Sequence, residues 1–393
     1  MKNKIVVILL FALLSAGVLN GQNSTLADYF EIDTIITLPM ISCTGKPSRS
    51  LVSTSFENSF FIVNKTFESK SIVLYSVKPR ETVYQIDSIV LNLPSDTKLE
   101  FINLAVNEKW IALSTYNELL VFKHVDFKHV LFEKSISTKF TYYDYFGFHP
   151  NKMDFILCAE LNNPYSKIDL IDIISGKIQE TVDLPVECPC LFSLAPSHLI
   201  DVSKKSVVYC DPLHYNVVTY NLNFVETETF GNEALWKSFP ESLVKDANES
   251  QPGAPCFQFF LEKDNLFTYN SFRALYFIND SNLLTIRMEP AKISTDKASY
   301  IVDLWTQSDG WHLKNDSVCF ATPGETHYSD IVLNKSFTGL PDFCHGKLFQ
   351  CRLEADYKFD YNLYYDDWLK MNDSLLEKQN LVLKLFIYNY ISE

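Results

Sequence analysis

The sequence predicts an all-β protein, a β-propeller of six blades with seven as the alternative, that also has a short C-terminal helix. A unit of one polar turn followed by three apolar strands recurs about every 50 residues, which is a typical spacing for propeller blades. The composition, with 30 Phe and 21 Tyr but only 11 Gly, favours strands. A β-sandwich or a pair of barrels is the alternative, but neither requires such self-similarity.

Residues 1–21 have the pattern of a secretory signal peptide. Lys2 and Lys4 precede an apolar run at Ile5–Leu14, and small residues follow it, which is the usual order of such a leader. The run is shorter than the roughly 20 residues that span a bilayer, so an uncleaved anchor is the less favoured alternative. The first cysteine is Cys43, well beyond the cleavage region, and we expect no lipid-modified N-terminus.

Residues 22–393 are predicted to form a single propeller domain, and residues 151–185 contain its clearest unit. The parts of this unit are, in order, an apolar run at Asp154–Glu160, a second at Ser166–Ile174, a hairpin turn at Ser175 and Gly176, and a third run at Lys177–Leu184. A serine-glycine pair between two such runs is typical of a tight hairpin turn. The unit therefore predicts three consecutive antiparallel strands.

Five further units follow the same plan, and equivalent points in them are separated by 50, 45, 52, 59 and 52 residues. The six points are Phe60, Trp110, Phe155, Val207, Leu266 and Val318. The second strand of each unit is apolar almost throughout, as expected for a strand in the middle of a blade. The sixth unit, with runs at Val318–Ala321 and Tyr328–Leu333, is the faintest.

The segments outside the units have their own predicted roles. Glu31–Leu38 alternates in part between apolar and polar residues, and we predict that it closes the ring. Asp366–Gln379 has helical spacing and precedes a strand at Leu381–Tyr390. If these two strands formed a sheet of their own, the propeller would have seven blades. In the longest interruption, Glu233–Lys237 and Glu241–Asp246 are predicted to be short helices.

The chain resembles the uncharacterised secreted or lipid-anchored six-bladed propeller-like proteins of Bacteroidota. The segments that carry this resemblance are HPNKMDFILC, SKIDLIDIISGKI and HLIDVSKKSVVYCDPLHYNVVTYNL. It covers most of residues 50–355 and implies six blades and export. It supplies no catalytic residues.

Charge and motifs exclude several classes of function. Removing Lys2 and Lys4 from the 34 basic residues leaves 32 against 48 acidic ones, a formal charge of −16. Because nucleic-acid binding depends on Lys and Arg, we predict no nucleic-acid partner, and no apolar run after the leader is long enough to span a membrane. The glycines needed for a hydrolase elbow, a phosphate loop or a dinucleotide fingerprint are missing. We predict no cofactor and no metal.

Nine cysteines is an odd number for a protein that enters an oxidising compartment, so at least one is free or paired with another chain. Cys158 and Cys210 lie inside apolar strand runs, where we expect buried and unreactive thiols. The spacing of the others fits no zinc site and does not fix their pairing.

A ligand site is expected in the loops between blades, because the strands are used for packing. The predicted linkers are Ser137–Pro150, Val186–Val202, Gly231–Phe257 and Glu289–Trp311. The candidate ligand-binding residues in them are Tyr143, Asp144, His149, His198, Asp201, Trp236, Trp305 and Trp311. We expect a shallow polar and aromatic pocket that draws on at least two linkers. For each residue alone, the more ordinary interpretation is that it caps a blade edge.

These observations favour an exported, non-enzymatic recognition or scaffold protein, which we expect to be a monomer in the periplasm or outside the cell. Its partner would be a protein or a glycan bound by loops on one face of the disc. The alternative is an exported polysaccharide hydrolase or lyase that uses carboxylates in the central channel. Fold alone supports neither.

Overall fold

The protein is described from a computed structural model. The described residues are 29–38, 47–57, 59–66, 71–80, 83–94, 103–115, 117–125, 127–138, 143–160, 166–184, 198–211, 213–250, 269–289, 299–319, 342–344, 347–355 and 381–391. The predicted leader and the predicted helix at Asp366–Gln379 lie outside these residues.

The described strands form six antiparallel sheets of four strands each. Blade 1 contains β2 (Pro47–Phe56), β3 (Ser59–Thr66), β4 (Ser71–Pro79) and β5 (Tyr84–Asn92). Blade 2 contains β6 (Asn103–Val106), β7 (Trp110–Ser114), β8 (Glu118–Val125) and β9 (His129–Ser137). Blade 3 contains β10 (Tyr145–Phe148), β11 (Phe155–Glu160), β12 (Lys167–Asp172) and β13 (Lys177–Asp183).

Blades 4 and 5 continue this order, and blade 6 combines both ends of the chain. Blade 4 contains β14 (Ile200–Val202), β15 (Ser206–Cys210), β16 (Val217–Asn221) and β17 (Glu226–Phe230). Blade 5 contains β18 (Ser271–Asn279), β19 (Asn282–Glu289), β20 (Ser299–Gln307) and β21 (Trp311–Cys319). Blade 6 contains β22 (Asp342–Cys344), β23 (Lys347–Ala355), β24 (Leu381–Tyr390) and β1 (Phe30–Leu38). The prediction of a six-bladed propeller is confirmed.

The ring is closed by β1, as predicted for Glu31–Leu38. It pairs antiparallel with β24, from Phe30 opposite Tyr390 to Leu38 opposite Leu383. The register shifts at Asp33, whose carboxylate accepts hydrogen bonds from Lys347 Nζ at 2.6 Å and from Tyr84 Oη at 2.6 Å. These contacts connect the closing strand to β23 of its own blade and to β5 of blade 1.

Each blade contributes its first strand to the centre of the ring. The first strands of neighbouring blades are in contact, from β14 through β18, β22, β2 and β6 to β10. They run in the same direction, since His198 and Ala274 form a parallel bridge. The disc therefore has two distinct faces. We call the face where the first strands begin the linker face, because the chain passes from blade to blade there, and the opposite one the turn face.

The hydrophobic core lies between the blades. One cluster joins Phe61 and Leu74 of blade 1 to Leu104 and Phe122 of blade 2, and four others join the remaining neighbours. These side chains are nearly inaccessible to water, and burying each large apolar side chain stabilises the fold by about 1.5–3 kcal/mol. Alternate strand residues face the two neighbouring blades, which explains why the middle strands are apolar on both faces.

Two parts of the predicted unit plan are wrong. The inner strands β2, β6, β10 and β14 were not among the three strands assigned to each unit. In blade 5 the assignment is displaced. Phe272–Ile278, predicted as the second strand of the fifth unit, lies in the inner strand β18; the predicted linker Glu289–Trp311 contains β20, and Val318 lies in β21 rather than at the start of a sixth blade. Leu266–Tyr269, predicted as the first strand of the fifth unit, and Tyr328–Leu333 fall mainly or wholly outside the described residues.

Several local predictions are confirmed. Residues Glu233–Leu235 form a short 3-10 helix, and Glu241–Ser250 form a helix, α1. Gly176 has φ +72° in the turn between β12 and β13, a conformation that glycine adopts without strain. Cys158 and Cys210 are buried, as expected, and are free thiols; burial raises the pKa of both well above the usual value, which opposes formation of the reactive thiolate.

Candidate functional site

The loop that carries Trp236 is the best-defined linker-face feature of the described residues. It follows β17 and lies over the gap between blades 4 and 5. Trp236 Nε1 donates a hydrogen bond to the Leu213 carbonyl at 2.7 Å, and its ring lies 5.4 Å from that of Tyr215 and 5.1 Å from that of Phe272. The indole is therefore held in a fixed orientation while remaining partly exposed.

The same loop is fixed to the start of blade 5. The backbone N–H of Lys237 donates to Asn270 Oδ1 at 2.7 Å, and the N–H of Asn270 donates to the Lys237 carbonyl at 3.0 Å. Lys237 Nζ lies 5.0 Å from the centre of the Tyr269 ring, and Phe239 packs 4.9 Å from that ring. An exposed ammonium group and two aromatic rings thus share one edge of the linker face.

His198 and Asp201 lie just before and within β14, the inner strand of blade 4, at its contact with β18 of blade 5. The His198 ring stacks on Tyr276 at 4.6 Å, and its Nε2 is 3.8 Å from Asp201 Oδ1. The Asp201 carboxylate accepts backbone hydrogen bonds from Phe277 at 2.7 Å and from Val202 at 2.8 Å. Asp201 therefore connects β14 to β18, and its oxygens are largely used by the fold.

Tyr143 and Asp144 also lie at the linker face, at the start of β10. Tyr143 is 6% exposed and stacks on Phe146 at 5.9 Å, while its carbonyl accepts a hydrogen bond from Asn103 of blade 2. Asp144 is 9% exposed, and its N–H donates to the Ala159 carbonyl at 2.8 Å. Tyr143 therefore packs at the junction of blades 2 and 3, whereas this contact of Asp144 lies within blade 3.

His149 lies on the opposite, turn face, after β10. Its Nδ1 accepts a hydrogen bond from the N–H of Asn151 at 3.1 Å, and its Nε2 faces the Leu222 carbonyl of blade 4 at 3.3 Å. A neutral ring protonated on Nε2 satisfies both contacts. Burial lowers the pKa of His149, which favours that neutral form. This histidine connects blades 3 and 4.

Trp305 and Trp311 are core residues. Trp305 lies within β20, 3% exposed, and packs edge-on against Phe230 at 4.8 Å. Trp311 opens β21 after the Gly310 turn and stacks on Phe230 at 5.4 Å. The structure thus places Trp236, His198 and Asp201 near the junction of blades 4 and 5. Trp305 and Trp311 lie in the core of the same junction. The other three candidates, Tyr143, Asp144 and His149, lie apart from this group.

A buried ionic group in blade 5 was missed by the sequence analysis. Arg287 Nε donates to Asp303 Oδ2 at 2.9 Å, with side chains only 1% and 0% exposed. The Tyr215 hydroxyl, from blade 4, donates to the same carboxylate oxygen, and burial raises the pKa of Tyr215 well above its usual value. The signal that could have revealed this group is a charged residue inside a run of apolar strand residues, which both Arg287 and Asp303 are. The group supports packing rather than a ligand.

Short turns on the turn face are joined across neighbouring blades. Asp154 Oδ1 accepts hydrogen bonds from Trp110 Nε1 at 2.7 Å and from Lys109 Nζ at 3.0 Å, and these donors lower the pKa of the Asp154 carboxyl. Blades 4 and 5 are joined similarly, because the backbone N–H of Trp311 in blade 5 donates a hydrogen bond to Glu228 Oε1 in blade 4 at 2.9 Å. Polar groups on this face are therefore engaged in holding blades together.

Among the described residues, no group of three or more His, Cys, Asp or Glu is placed to hold a metal ion. Glu160, at the linker-face end of β11, has a raised pKa because of burial.

The fold and its junctions define a six-bladed β-propeller, and comparisons with known proteins agree with this class. No family model matches the chain, and no curated protein matches it. Solved structures do. A protein from Bacteroides fragilis NCTC 9343, described as exported, matches with a TM-score of 0.54 and 11% identity over 95% of this chain and 98% of its own.

Two other matches are more distant. A member of the DUF4221 family from Bacteroides vulgatus ATCC 8482 has a TM-score of 0.44 and 10% identity, covering 93% of this chain and 99% of its own. AztD from Citrobacter koseri has a TM-score of 0.33 and 15% identity over 49% of this chain, which spans about half of AztD (48%). At these identities the Bacteroides fragilis protein supports the fold and assigns no activity.

Among the described residues, no helix combines the length and apolar character required to cross a bilayer.

Proposed function

We propose that this chain is an exported, non-enzymatic recognition or scaffold protein that binds a protein or glycan at the linker face. The observation that carries the proposal is the unequal length of the connections. Those at the turn face range from two residues, between Asn279 and Asn282, to six, between Phe148 and Phe155, whereas 40 residues separate Phe230 from Ser271 on the linker face. Long loops on a rigid scaffold are where binding residues concentrate.

The position of the chain ends supports the same face. Tyr29 and Ile391 meet at the turn face, where the Ile391 N–H donates to the Tyr29 carbonyl at 2.8 Å. A leader or any attachment at the N-terminus would therefore leave from the turn face. The linker face, with Trp236, Lys237 and the exposed helix α1, would point away from it. The exported Bacteroides fragilis protein of similar fold is consistent with export.

Aromatic rings and polar groups side by side suit glycans and peptides alike. The Trp236 indole is fixed by Leu213 and by two rings, so little side-chain entropy is lost when it contacts a ligand. Lys237 adds a positive charge on an otherwise acidic protein of formal charge −14. A ligand with an acidic or hydroxyl-rich group next to a flat apolar face would fit this edge.

The experiment compares binding by the linker face and the turn face. The mature chain is screened on a glycan array and against cross-linked envelope extracts, and each hit is titrated with variants. Lys237→Glu and Trp236→Phe, which preserves an aromatic ring, should weaken binding at least about tenfold. His312→Ala, an exposed turn-face residue, is the matched control and should bind as the parent does. A ligand whose binding is abolished by His312→Ala but not by Lys237→Glu would refute the proposal.

A further inference from the structure

Among the described residues, the outermost strand of each blade pairs with a neighbouring strand on one side only, and in five of the six blades that pairing is irregular. The register shifts between β8 and β9, β12 and β13, β16 and β17, β20 and β21, and β24 and β1. Such bulges twist an edge away from pairing with other chains, which is how many proteins prevent association of sheet edges.

Strand β5 of blade 1 is the exception. Its pairing with β4 is continuous from Tyr84 opposite Pro79 to Asn92 opposite Ser71, without a shift. It has one charged side chain, Asp87, in nine residues, whereas the seven-residue β13 has three, Lys177, Glu180 and Asp183. Neither of the common protections of an edge, a bulge or a series of charges, is strong here.

The side chains of β5 also offer apolar contact. Val90 is 50% exposed, and Val83, just before the strand, is 63% exposed. Val90 lies on the same side of the strand as Ser88 and Ile86, and Ile86 packs on the core between blades 6 and 1. An added strand would cover Val90 and extend that core outward.

We propose that the free edge of β5 is a strand-addition site for an extended segment of a different protein. The segment would carry β-branched residues at alternate positions and a Lys or Arg beside Asp87. Main-chain hydrogen bonds would supply affinity, and contacts with Val90 and Asp87 would supply selectivity. This inference concerns the rim of blade 1 and does not depend on the function proposed for the linker face.

Charge separates this partner from a second copy of the chain. An antiparallel pair of β5 strands centred on Ser88 would place the two Asp87 carboxylates on one side, at a diagonal distance of about 7 Å. Without the predicted leader, each copy also carries a formal charge of −16, from 32 basic and 48 acidic residues. Both effects oppose self-pairing and favour a basic segment.

The test uses a synthetic peptide of alternating valine and threonine with a lysine at each end, labelled for fluorescence anisotropy. We expect binding in the micromolar range by the mature chain. An otherwise identical peptide with alternate backbone nitrogens methylated should bind at least tenfold more weakly, because it cannot complete the ladder. Equal binding of the two peptides would overturn the proposal.

Matched variants locate the site. Val90→Lys places a charge on the free edge and should reduce peptide affinity at least tenfold, whereas Ile178→Lys, at a residue 54% exposed on the bulged β13, should bind as the parent does. Hydrogen exchange of the parent with peptide should slow at amides of residues 84–92. Unchanged affinity in Val90→Lys, protection of another strand, or a parent dimer that Val90→Lys dissociates would each contradict the proposal.

Discussion

At the residue scale, the chain places charged and polar side chains where they connect blades. Arg287 and Asp303 occupy positions that an apolar pair could fill, and Tyr215 links them to blade 4. Removing one member of a buried ion pair leaves an unpaired charge, which is more costly than replacing both. The pair therefore makes the junction of blades 4 and 5 sensitive to single substitutions.

Arg287→Met is expected to lower the free energy of unfolding by about 3–5 kcal/mol, because Asp303 would remain buried without its cation. Urea denaturation followed by tryptophan fluorescence measures this loss. Lys314→Met, at an exposed position of the same blade, is the control and should change stability by less than about 0.5 kcal/mol. The double variant Arg287→Met with Asp303→Leu should recover part of the loss, and a loss equal to that of the single variant would contradict the explanation.

His149 gives the fold a dependence on mildly acidic pH. Burial lowers its folded pKa, so the unfolded chain takes up a proton first as pH falls below the unfolded histidine pKa of about 6.5. Stability should be complete above that pH and decline below it. His149→Asn retains a neutral acceptor for the N–H of Asn151 and should reduce the decline in melting temperature between pH 7.5 and 5. The exposed His312→Asn is the control, and an unaltered decline in His149→Asn would exclude this role.

At the element scale, the sequence predicted strands where apolar runs are long and failed where the determining contacts are distant. The middle strands, such as Lys167–Asp172, are buried on both faces and were found. The inner strand Ile200–Val202 has three residues and no pattern of its own. In blade 5 the third strand of the unit was predicted to end at Met288, so β20 was interpreted as part of the linker Glu289–Trp311.

The candidate site was predictable in position but less so in its chemistry. The linker between blades 4 and 5 was identified from its length and turn residues, and the structure places Trp236 and Lys237 there. Trp305 and Trp311 were included because their segment was assigned to a linker, whereas they pack in the core. Exposure depends on which neighbour covers a ring, and one sequence does not specify that.

The closing strand β1 is an element whose removal should affect the whole ring. Deleting residues 22–38 would expose the edge of β24 and remove Phe30 and Leu38 from two cores. We expect this variant to lose cooperative unfolding and to aggregate, measured by calorimetry and light scattering. Deletion of residues 22–28, which precede β1, is the matched control and should melt as the parent does. A soluble, cooperatively folded 22–38 deletion would show that the ring does not require this strand.

At the scale of the whole molecule, the two ends of the chain meet inside one blade. Among the described strands, the first in sequence is the fourth strand of blade 6 and the last is the third strand of the same blade, so β1 and β24 hold the ring together by pairing with each other. An interlocked closure cannot open until this pairing breaks. The closure should therefore have a larger effect on the rate of unfolding than on the stability of the folded state at equilibrium.

Circular permutants test that view of closure. In both, residue 391 is joined to residue 29 through a short flexible linker, since their backbones already form a hydrogen bond. One permutant opens between Ile174 and Ser175, between the third and fourth strands of blade 3, and so recreates an interlocked closure there. The other opens in the connection between β13 and β14, at a blade boundary, and leaves every blade continuous in sequence.

Both permutants retain the same strand pairs and the same cores, so we expect their stabilities at equilibrium to differ little. The permutant opened at the blade boundary should unfold faster in urea jumps, by at least about tenfold, because its first and last blades are held by side-chain packing and the contact of His149 with the Leu222 carbonyl rather than by a shared sheet. The permutant opened at residue 174 should unfold at a rate close to that of the parent. Equal unfolding rates for the two would mean that packing between blades, and not the pairing of β1 with β24, limits the opening of the ring.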